Sequence, residues 1–201
     1  MNRRALLLAS LALPLLHHAA SAQAPATRRI RGKVVSLDNR TLVVATREGP
    51  NVTLTLSENL AVAEVRPLAL ESIQPNAYVG IASMKAGGRD VALEVLVFPE
   101  AMRGAGEGST PWDLQPESTM TNAAVANVVG AAQGRMLTLT YKGEKRDIMV
   151  PPDVPIVTFV PADRSLLVPG APVFLSAAIA ADGTMTTTRI TTGRDGNVPP
   201  M

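Results

Sequence analysis

One stretch of the chain, residues 98–122, holds most of the side chains whose chemistry could serve a site. It reads FPEAMRGAGEGSTPWDLQPESTMTN and contains the only tryptophan, Trp112. Its four acids are Glu100, Glu107, Asp113 and Glu117. Carboxylates of this kind suit a hard cation such as Ca²⁺, which prefers oxygen ligands. Their spacing does not follow the alternating acidic pattern of an EF-hand loop, so carboxylates that are solvated or paired with Arg103 are the favoured interpretation.

Two further features of this stretch point to weaker sites. Met102 and Met120 carry thioethers, which select Cu(I), but methionine more often fills gaps in a core. Three glycines at alternate positions resemble a phosphate-binding loop, although no P-loop lysine accompanies them. These are Gly104, Gly106 and Gly108. Their spacing favours a connector with unusual backbone angles over a phosphate site.

Trp112 has two interpretations. A plug over the seam between two packed units is favoured, with a partner for its indole N–H, because an isolated exposed tryptophan is costly. The alternative is an anchor that recognises a partner or a glycan. Together with Glu100, Arg103, Glu107 and Asp113, it forms the candidate binding set. Whether these five side chains converge on one cleft is left open by the sequence.

Composition excludes several catalytic mechanisms. There is no cysteine, and both histidines lie within residues 1–22. Without that segment the chain has neither imidazole nor thiol, which excludes Ser-His-Asp and Cys-His catalysis, thiolate zinc sites and disulfides. Two carboxylates can act as acid and base, but no sequence feature brings two of them into one cleft. We therefore expect a protein that is not an enzyme and has no cofactor.

Residues 1–22 have the features of a secretory signal peptide. Arg3 and Arg4 precede an apolar run over residues 5–16, and the small residues at 20–22 form a cleavage site. The run is shorter than the ~20 residues of a membrane-spanning helix, so we expect a periplasmic or secreted protein with no transmembrane segment after cleavage. Cleavage leaves 17 of the 19 basic residues against 17 acidic ones. A neutral chain offers no electrostatic reason to bind nucleic acid.

Strand patterns dominate the rest of the chain. The clearest alternation of apolar and polar residues is VTLTLS at 52–57, which predicts a strand with one buried face. Similar short runs separated by turn residues predict five strands over residues 28–98. One short helical turn is expected between the third and fourth strands, bounded by Pro67 and Pro75. Five such strands are typical of a small OB-like barrel.

The same order of elements recurs over residues 123–193. The matched blocks are 40–44 with 135–139, 62–65 with 157–160, 74–79 with 168–173, and 88–95 with 183–190. A nearly constant offset indicates a tandem duplication. The prediction is an all-β fold of two tandem small OB-like five-stranded β-barrels with at most short helical turns. An ordered linker over 99–122 joins them, and a flexible tail follows at 194–201.

The linker also carries a resemblance. A signal peptide, a β-rich unit ending in VFPEAMRGAGEG, then PWDL, STMTNA and a second β-rich unit resemble a group of secreted bacterial proteins of unknown function with small β-barrel repeats. Its members are often labelled "metal ABC transporter permease". A permease needs several spanning helices, which the sequence does not predict. The resemblance therefore implies at most an association with metal uptake. Its members often have a histidine after GEG, where this chain has Ser109.

Two functional hypotheses follow. The leading one is a non-catalytic periplasmic binding or adaptor protein with an envelope protein as partner, acting in metal handling or envelope stress. The alternative is a metal-binding or carboxylate-based enzyme that uses the linker acids, and whether any metal binds stays open. A purely structural envelope component is a third reading. Nucleic acid is not expected as a partner.

The signal peptide generates a first prediction. The exported chain should begin at Gln23, because Ala20 and Ala22 supply the small side chains that signal peptidase requires. N-terminal sequencing of the protein from a periplasmic extract checks this. Ala20→Lys should block processing, whereas Ser21→Gln, at the tolerated middle position, should not. Recovery of the uncleaved wild-type chain from the membrane fraction would contradict the prediction.

Overall fold

The computed structural model describes residues 26–132 and 134–199, and the predicted signal peptide at 1–22 lies outside them. In this part of the chain, twelve strands form one hydrogen-bonded network. Helical structure there consists of three single 3-10 turns at Leu70–Ser72, Glu100–Met102 and Arg164–Leu166. The predicted all-β fold with only short helical turns is confirmed. None of the helical segments in the described part is long and apolar enough to cross a membrane.

The strands follow the alternation that predicts them. In chain order they are β1 (Ala26–Asp38), β2 (Thr41–Thr46), β3 (Val52–Pro67), β4 (Tyr78–Ala86), β5 (Arg89–Val97), β6 (Gly108–Pro111), β7 (Thr119–Ala131), β8 (Gly134–Tyr141), β9 (Glu144–Val150), β10 (Ile156–Ala162), β11 (Pro172–Ile179) and β12 (Met185–Thr192). In β3, Val52, Leu54 and Leu56 are buried while Thr53 is exposed. One face of the strand therefore enters a core, as its period of two requires.

The first ring of strands is a closed five-stranded barrel. Around it the order is β1, β2, β3, β12 and β11, and β11 pairs with β1 to complete the circuit. All pairs are antiparallel except β3 with β12, which runs parallel from Thr55↔Thr186 to Glu64↔Thr192. Its interior is filled by aliphatic side chains such as Ile30, Leu42 and Leu175. Closure removes the exposed edges that an open sheet would present.

A second ring contains β4, β5, β9, β8 and β7. Antiparallel pairs join these strands except between β5 and β9, where two parallel residue pairs, Asp90↔Ile148 and Val91↔Met149, close the circuit. A separate apolar cluster fills this ring, with Ile81, Leu137 and Ile148 fully buried. The two rings therefore have separate cores.

Each ring draws strands from both halves of the sequence. The first takes β1 to β3 from the first half and β11 and β12 from the second half. The second ring takes β4 and β5 from the first half and β7 to β9 from the second half. Neither predicted unit supplies every strand of one ring. The boundaries of the two sequence copies stay a prediction, while the closed five-stranded barrel is an observed feature.

Strand β10 joins the two rings. It pairs antiparallel with the end of β3, from Val157↔Pro67 to Ala162↔Val62, and parallel with β5. Prolines at 151, 152 and 155 separate β10 from β9, because proline has no N–H to donate to a ladder. In the first half the matched segment is one uninterrupted strand, β3. Because the prolines interrupt the chain, β9 pairs within the second ring, whereas β10 lies between the two rings.

The chain end packs against β3. In the described part of the predicted flexible tail, Arg194 donates to the buried carboxylate of Glu64 over 2.6 Å and 3.2 Å. Arg66 adds a third contact to that carboxylate at 3.1 Å. Pro199 is buried. The Arg194 contacts therefore attach the start of this segment to β3.

Because each ring takes strands from both halves of the chain, we expect the two rings to unfold together. Leu42→Ala removes a fully buried side chain from the first ring and should lower the free energy of unfolding by about 3 kcal/mol. Hydrogen exchange should show the lost protection in β4 and β8 as well as in β1, because neither ring closes without strands of the other half. Val129→Ala, at a half-exposed valine, should change stability by less than about 0.5 kcal/mol. Lost protection confined to the first ring would contradict the prediction.

Candidate functional site

The linker is a strap that contacts both rings. Its strand β6 pairs antiparallel with β7 of the second ring, from Gly108↔Asn122 to Pro111↔Thr119. Directly after β6, the carboxylate of Asp113 accepts a hydrogen bond from Arg31 on β1 at 2.8 Å and lies 3.6 Å from Arg29. The strap thus reaches the first ring at Asp113, and the chain then returns to the second ring at β7.

Asp113 is held by charge. Burial alone would raise the pKa of this carboxyl, but the guanidinium groups of Arg31 and Arg29 hold the pKa below its ordinary value. The Asp113 side chain is 48% exposed, whereas that of Arg31 is 9% exposed. Solvent screens such a contact, so we assign it the role of positioning the strap.

Glu100, Arg103 and Glu107 lie elsewhere on the strap. Glu100 and Arg103 form a two-point ion pair at 2.5 Å and 2.8 Å, and Arg103 also donates to the carbonyl of Asn76 at 2.8 Å. The hydrogen bond from Arg103 lowers the pKa of Glu100 below its ordinary value. Glu107 accepts from the backbone N–H of Lys142, at the β8–β9 turn, over 2.9 Å. The five predicted site residues therefore bind three different sets of partners.

The linker acids do not form a metal site in this arrangement. Glu100, Glu107 and Asp113 are each bonded to the partners described above. Glu117 is exposed in a turn, where its φ is 60°. Among residues 26–132 and 134–199, no group of three or more histidine, cysteine, aspartate or glutamate side chains could hold a metal ion. The candidate ligands are thus dispersed, and each has a local role that explains it.

A buried ion pair that sequence reasoning missed fixes the strap to the second ring. Arg146 on β9 donates twice to the carboxylate of Asp90 on β5, each at 2.9 Å. One of its nitrogens also donates to Ser109 Oγ at 2.7 Å and to Thr121 Oγ1 at 3.0 Å. Lys85 lies 3.2 Å from the same carboxylate. Because Asp90 is 56 positions from Arg146, no local pattern signals the pair.

Trp112 lies over the seam, with a cation on its ring. The guanidinium carbon of Arg29 is 3.8 Å from the ring centroid, a cation–π distance. The backbone of Trp112 is fixed by Ser118, whose carbonyl accepts the Trp112 N–H at 2.8 Å. The expected partner of the indole N–H is missing, since Trp112 Nε1 is buried and has no hydrogen-bond partner in the described part of the chain.

An aromatic cavity lies between the rings beneath the strap. Its volume is about 420 Å³. The apolar side chains that line it include Phe98, Met102, Trp112, Met120, Phe159 and Phe174. These include all three phenylalanines and the only tryptophan of the chain. Sequence reasoning missed this aromatic cluster, because Phe98 follows β5, whereas Phe159 and Phe174 lie on β10 and β11.

Contacts between aromatic side chains hold the walls of the cavity together. Phe98 packs on Tyr78 with centroids 5.4 Å apart and meets Phe159 edge-on at 6.4 Å. Arg31 lies 5.2 Å from the ring centroid of Phe174. The Tyr78 hydroxyl donates to the carbonyl of Ala105 at 3.2 Å. Burial, with the nearby Glu107 charge, raises the pKa of Tyr78 above its ordinary value, which leaves it protonated near neutral pH.

A second compartment adjoins the first. It has a volume of about 300 Å³ and lies between β3, β10 and the helical turn of the strap. Four residues line both compartments: Met102, Phe159, Arg189 and Thr191. We refer to the two compartments together as the seam groove. Arg189 is the one charged residue among the described residues that line it.

The buried ion pair generates a stability prediction. Arg146→Leu should lower the free energy of unfolding by about 2 kcal/mol at pH 7, because it removes charge-assisted bonds to a carboxylate that is 9% exposed. The Arg146 hydrogen bonds hold the pKa of Asp90 below its ordinary value, against the effect of burial. A carboxyl with a depressed pKa stabilises the fold above its unfolded-state pKa of about 3.9 and loses that effect as pH falls through the folded-state value.

The difference in the free energy of unfolding between the wild type and Arg146→Leu should therefore be largest near pH 7 and should shrink below about pH 4. A smaller difference should persist at low pH, from the neutral bonds to Ser109 and Thr121. Urea denaturation across this pH range measures it. Arg89→Leu, at an exposed arginine one position from Asp90, should change stability by less than about 0.5 kcal/mol. A pH-independent difference would contradict the assignment.

Comparison with known proteins gives no information on the role of the seam groove. The chain matches no protein-family model, no curated protein and no solved structure. Its own geometry is therefore the basis for the function that follows.

Proposed function

We propose that the protein is a non-catalytic binding protein of the bacterial cell envelope, with the seam groove as its ligand site. One observation carries the proposal: every phenylalanine and the only tryptophan line a single cavity. A chain with so few aromatic side chains would bury them separately in its two cores if packing were their only role. The buried side chains of both ring cores are aliphatic, and Phe98 and Phe159 pack against a third, smaller cluster at the junction of the rings.

The size and walls of the groove support small-molecule binding. Its compartments of about 420 Å³ and 300 Å³ fall within the range of ~300–1,000 Å³ that is usual for ligand sites. Aromatic and thioether side chains adapt well to apolar ligands. Phe98, Trp112, Phe159 and Phe174 are half-buried, so their rings still have surface that a ligand could cover.

The alternative of a carboxylate-based or metal-dependent enzyme has less support. Catalysis by two carboxylates requires them to face one cleft, and Glu100, Glu107 and Asp113 each contact a different cationic or backbone partner. None of the linker acids lines the seam groove. The envelope location in the proposal rests on the signal-peptide features of residues 1–22. A link to metal uptake would rest on the family resemblance alone.

A neutral fluorophore tests the proposal. N-phenyl-1-naphthylamine should bind with increased emission and should quench Trp112, which is the only tryptophan and so reports on the groove directly. Thr110→Phe places a ring at an exposed strap position that lines the larger compartment and should weaken binding about tenfold or more.

The matched control is Thr53→Phe, at an exposed strand threonine outside the groove. It should bind the fluorophore like the wild type. Circular dichroism of both variants confirms that they are folded. Absence of binding by the wild type, or equal affinities for Thr110→Phe and the wild type, would refute the seam groove as the ligand site.

A further inference from the structure

Arg189 occupies a special position in the seam groove. It lies on β12, it is exposed, and it lines both compartments where they meet. Within the described residues its guanidinium group has no ion pair and no hydrogen bond. The arginines next to the aromatic walls differ in this respect, because Arg29 and Arg31 share the carboxylate of Asp113.

A β-bulge sets the position of Arg189. Between the pairs Leu175↔Ile190 and Ala178↔Thr186, β12 has three intervening residues and β11 has two, and Arg189 is one of the three. Bulges of this kind commonly redirect a side chain next to a functional site. The buried hydroxyl of Thr187 lies 2.9 Å from the carbonyl oxygens of both Ser176 and Arg189, and its single proton stabilises the bulge by donation to one of them at a time. In the pairing of β12 with β3, Arg189 lies opposite Ala61, which lines the smaller compartment.

The charge of Arg189 is not balanced inside the groove. None of the described residues lining either compartment is an aspartate or glutamate. The other polar residues that line the groove carry hydroxyl or amide groups, and they include Thr191 and Thr110. A guanidinium group beside apolar walls forms its strongest contact with an anion that offers two oxygens, such as a carboxylate.

We propose that the ligand is a small amphipathic anion, with its carboxylate on Arg189 and its apolar body against the aromatic walls. This inference rests on the proposed function and specifies its ligand class. Arg189 lies where the compartments meet, so a single head group there leaves the aromatic compartment free for the apolar body. Shape and charge thereby select for one charged end and one apolar end.

Three ligands with the same tail separate charge from apolar binding. Decanoate, decan-1-ol and decyltrimethylammonium are titrated below their aggregation concentrations, with Trp112 fluorescence as the readout. Decanoate should bind about tenfold more tightly than decan-1-ol, since one charge-assisted contact at an exposed arginine accounts for about that factor. Decyltrimethylammonium should bind most weakly.

Variants of Arg189 complete the test. Arg189→Gln should bring decanoate to the affinity of decan-1-ol and leave decan-1-ol unchanged. Arg189→Glu should reverse the order, so that decyltrimethylammonium binds more tightly than decanoate. Arg89→Gln removes one positive charge outside the groove and should behave like the wild type, which controls for net charge. Urea denaturation establishes that each variant is as stable as the wild type.

The outcomes separate the two proposals. Equal binding of all three ligands, with no effect of Arg189→Gln, would overturn the anionic ligand and leave an apolar groove. No binding of any decyl compound or of the neutral fluorophore would overturn both. Binding to vesicles of anionic phosphatidylglycerol without binding of free decanoate would also overturn the inference, because the arginine would then contact a membrane surface.

Discussion

The antiparallel pairing of β3 with β10 is the contact on which the rest of the structure depends. Its two partners belong to the matched sequence blocks 62–65 and 157–160, so equivalent segments meet edge to edge, with Val65 opposite Phe159. Through this pairing one continuous sheet passes from one ring into the other. The apolar cluster of Val65, Leu96 and Val157 forms at the junction, and the aromatic cavity lies beside it. A groove between the rings exists because the rings are joined at one edge and covered by the strap.

The strap is held by different contacts on the two rings. On the second ring it is held by β-pairing and by Arg146, whose bond to Asp90 is largely removed from water. On the first ring it is held by Asp113, which is half exposed and so contributes less to stability. Trp112, which forms one wall of the cavity, lies next to the weaker of these two attachments.

Much of the local structure could be predicted from the sequence. The alternation at 52–57 predicted the buried and exposed faces of β3, and the series of short strands predicted an all-β protein with a small closed barrel. The position of Trp112 over a seam was also anticipated, although its N–H partner was not found. The five linker residues chosen as a binding set do not converge, because Glu100, Arg103 and Glu107 satisfy their charges locally. Arg189 gave no signal, since its strand differs from others only in being polar.

The sequence by itself determined which segments are strands, where turns interrupt them and which chemistry is absent, because side-chain period and residue type are local properties. Only the tertiary structure decided which strands close each ring. The closing pairs join residues that are far apart in sequence, such as Ala26↔Ile179 in the first ring and Asp90↔Ile148 in the second, so packing between distant segments makes the selection. The same long-range packing gathers Phe98, Phe159 and Phe174 into one cavity. It also places Arg189 in the lining of both compartments of the seam groove. No pattern within a short window of sequence encodes such a convergence.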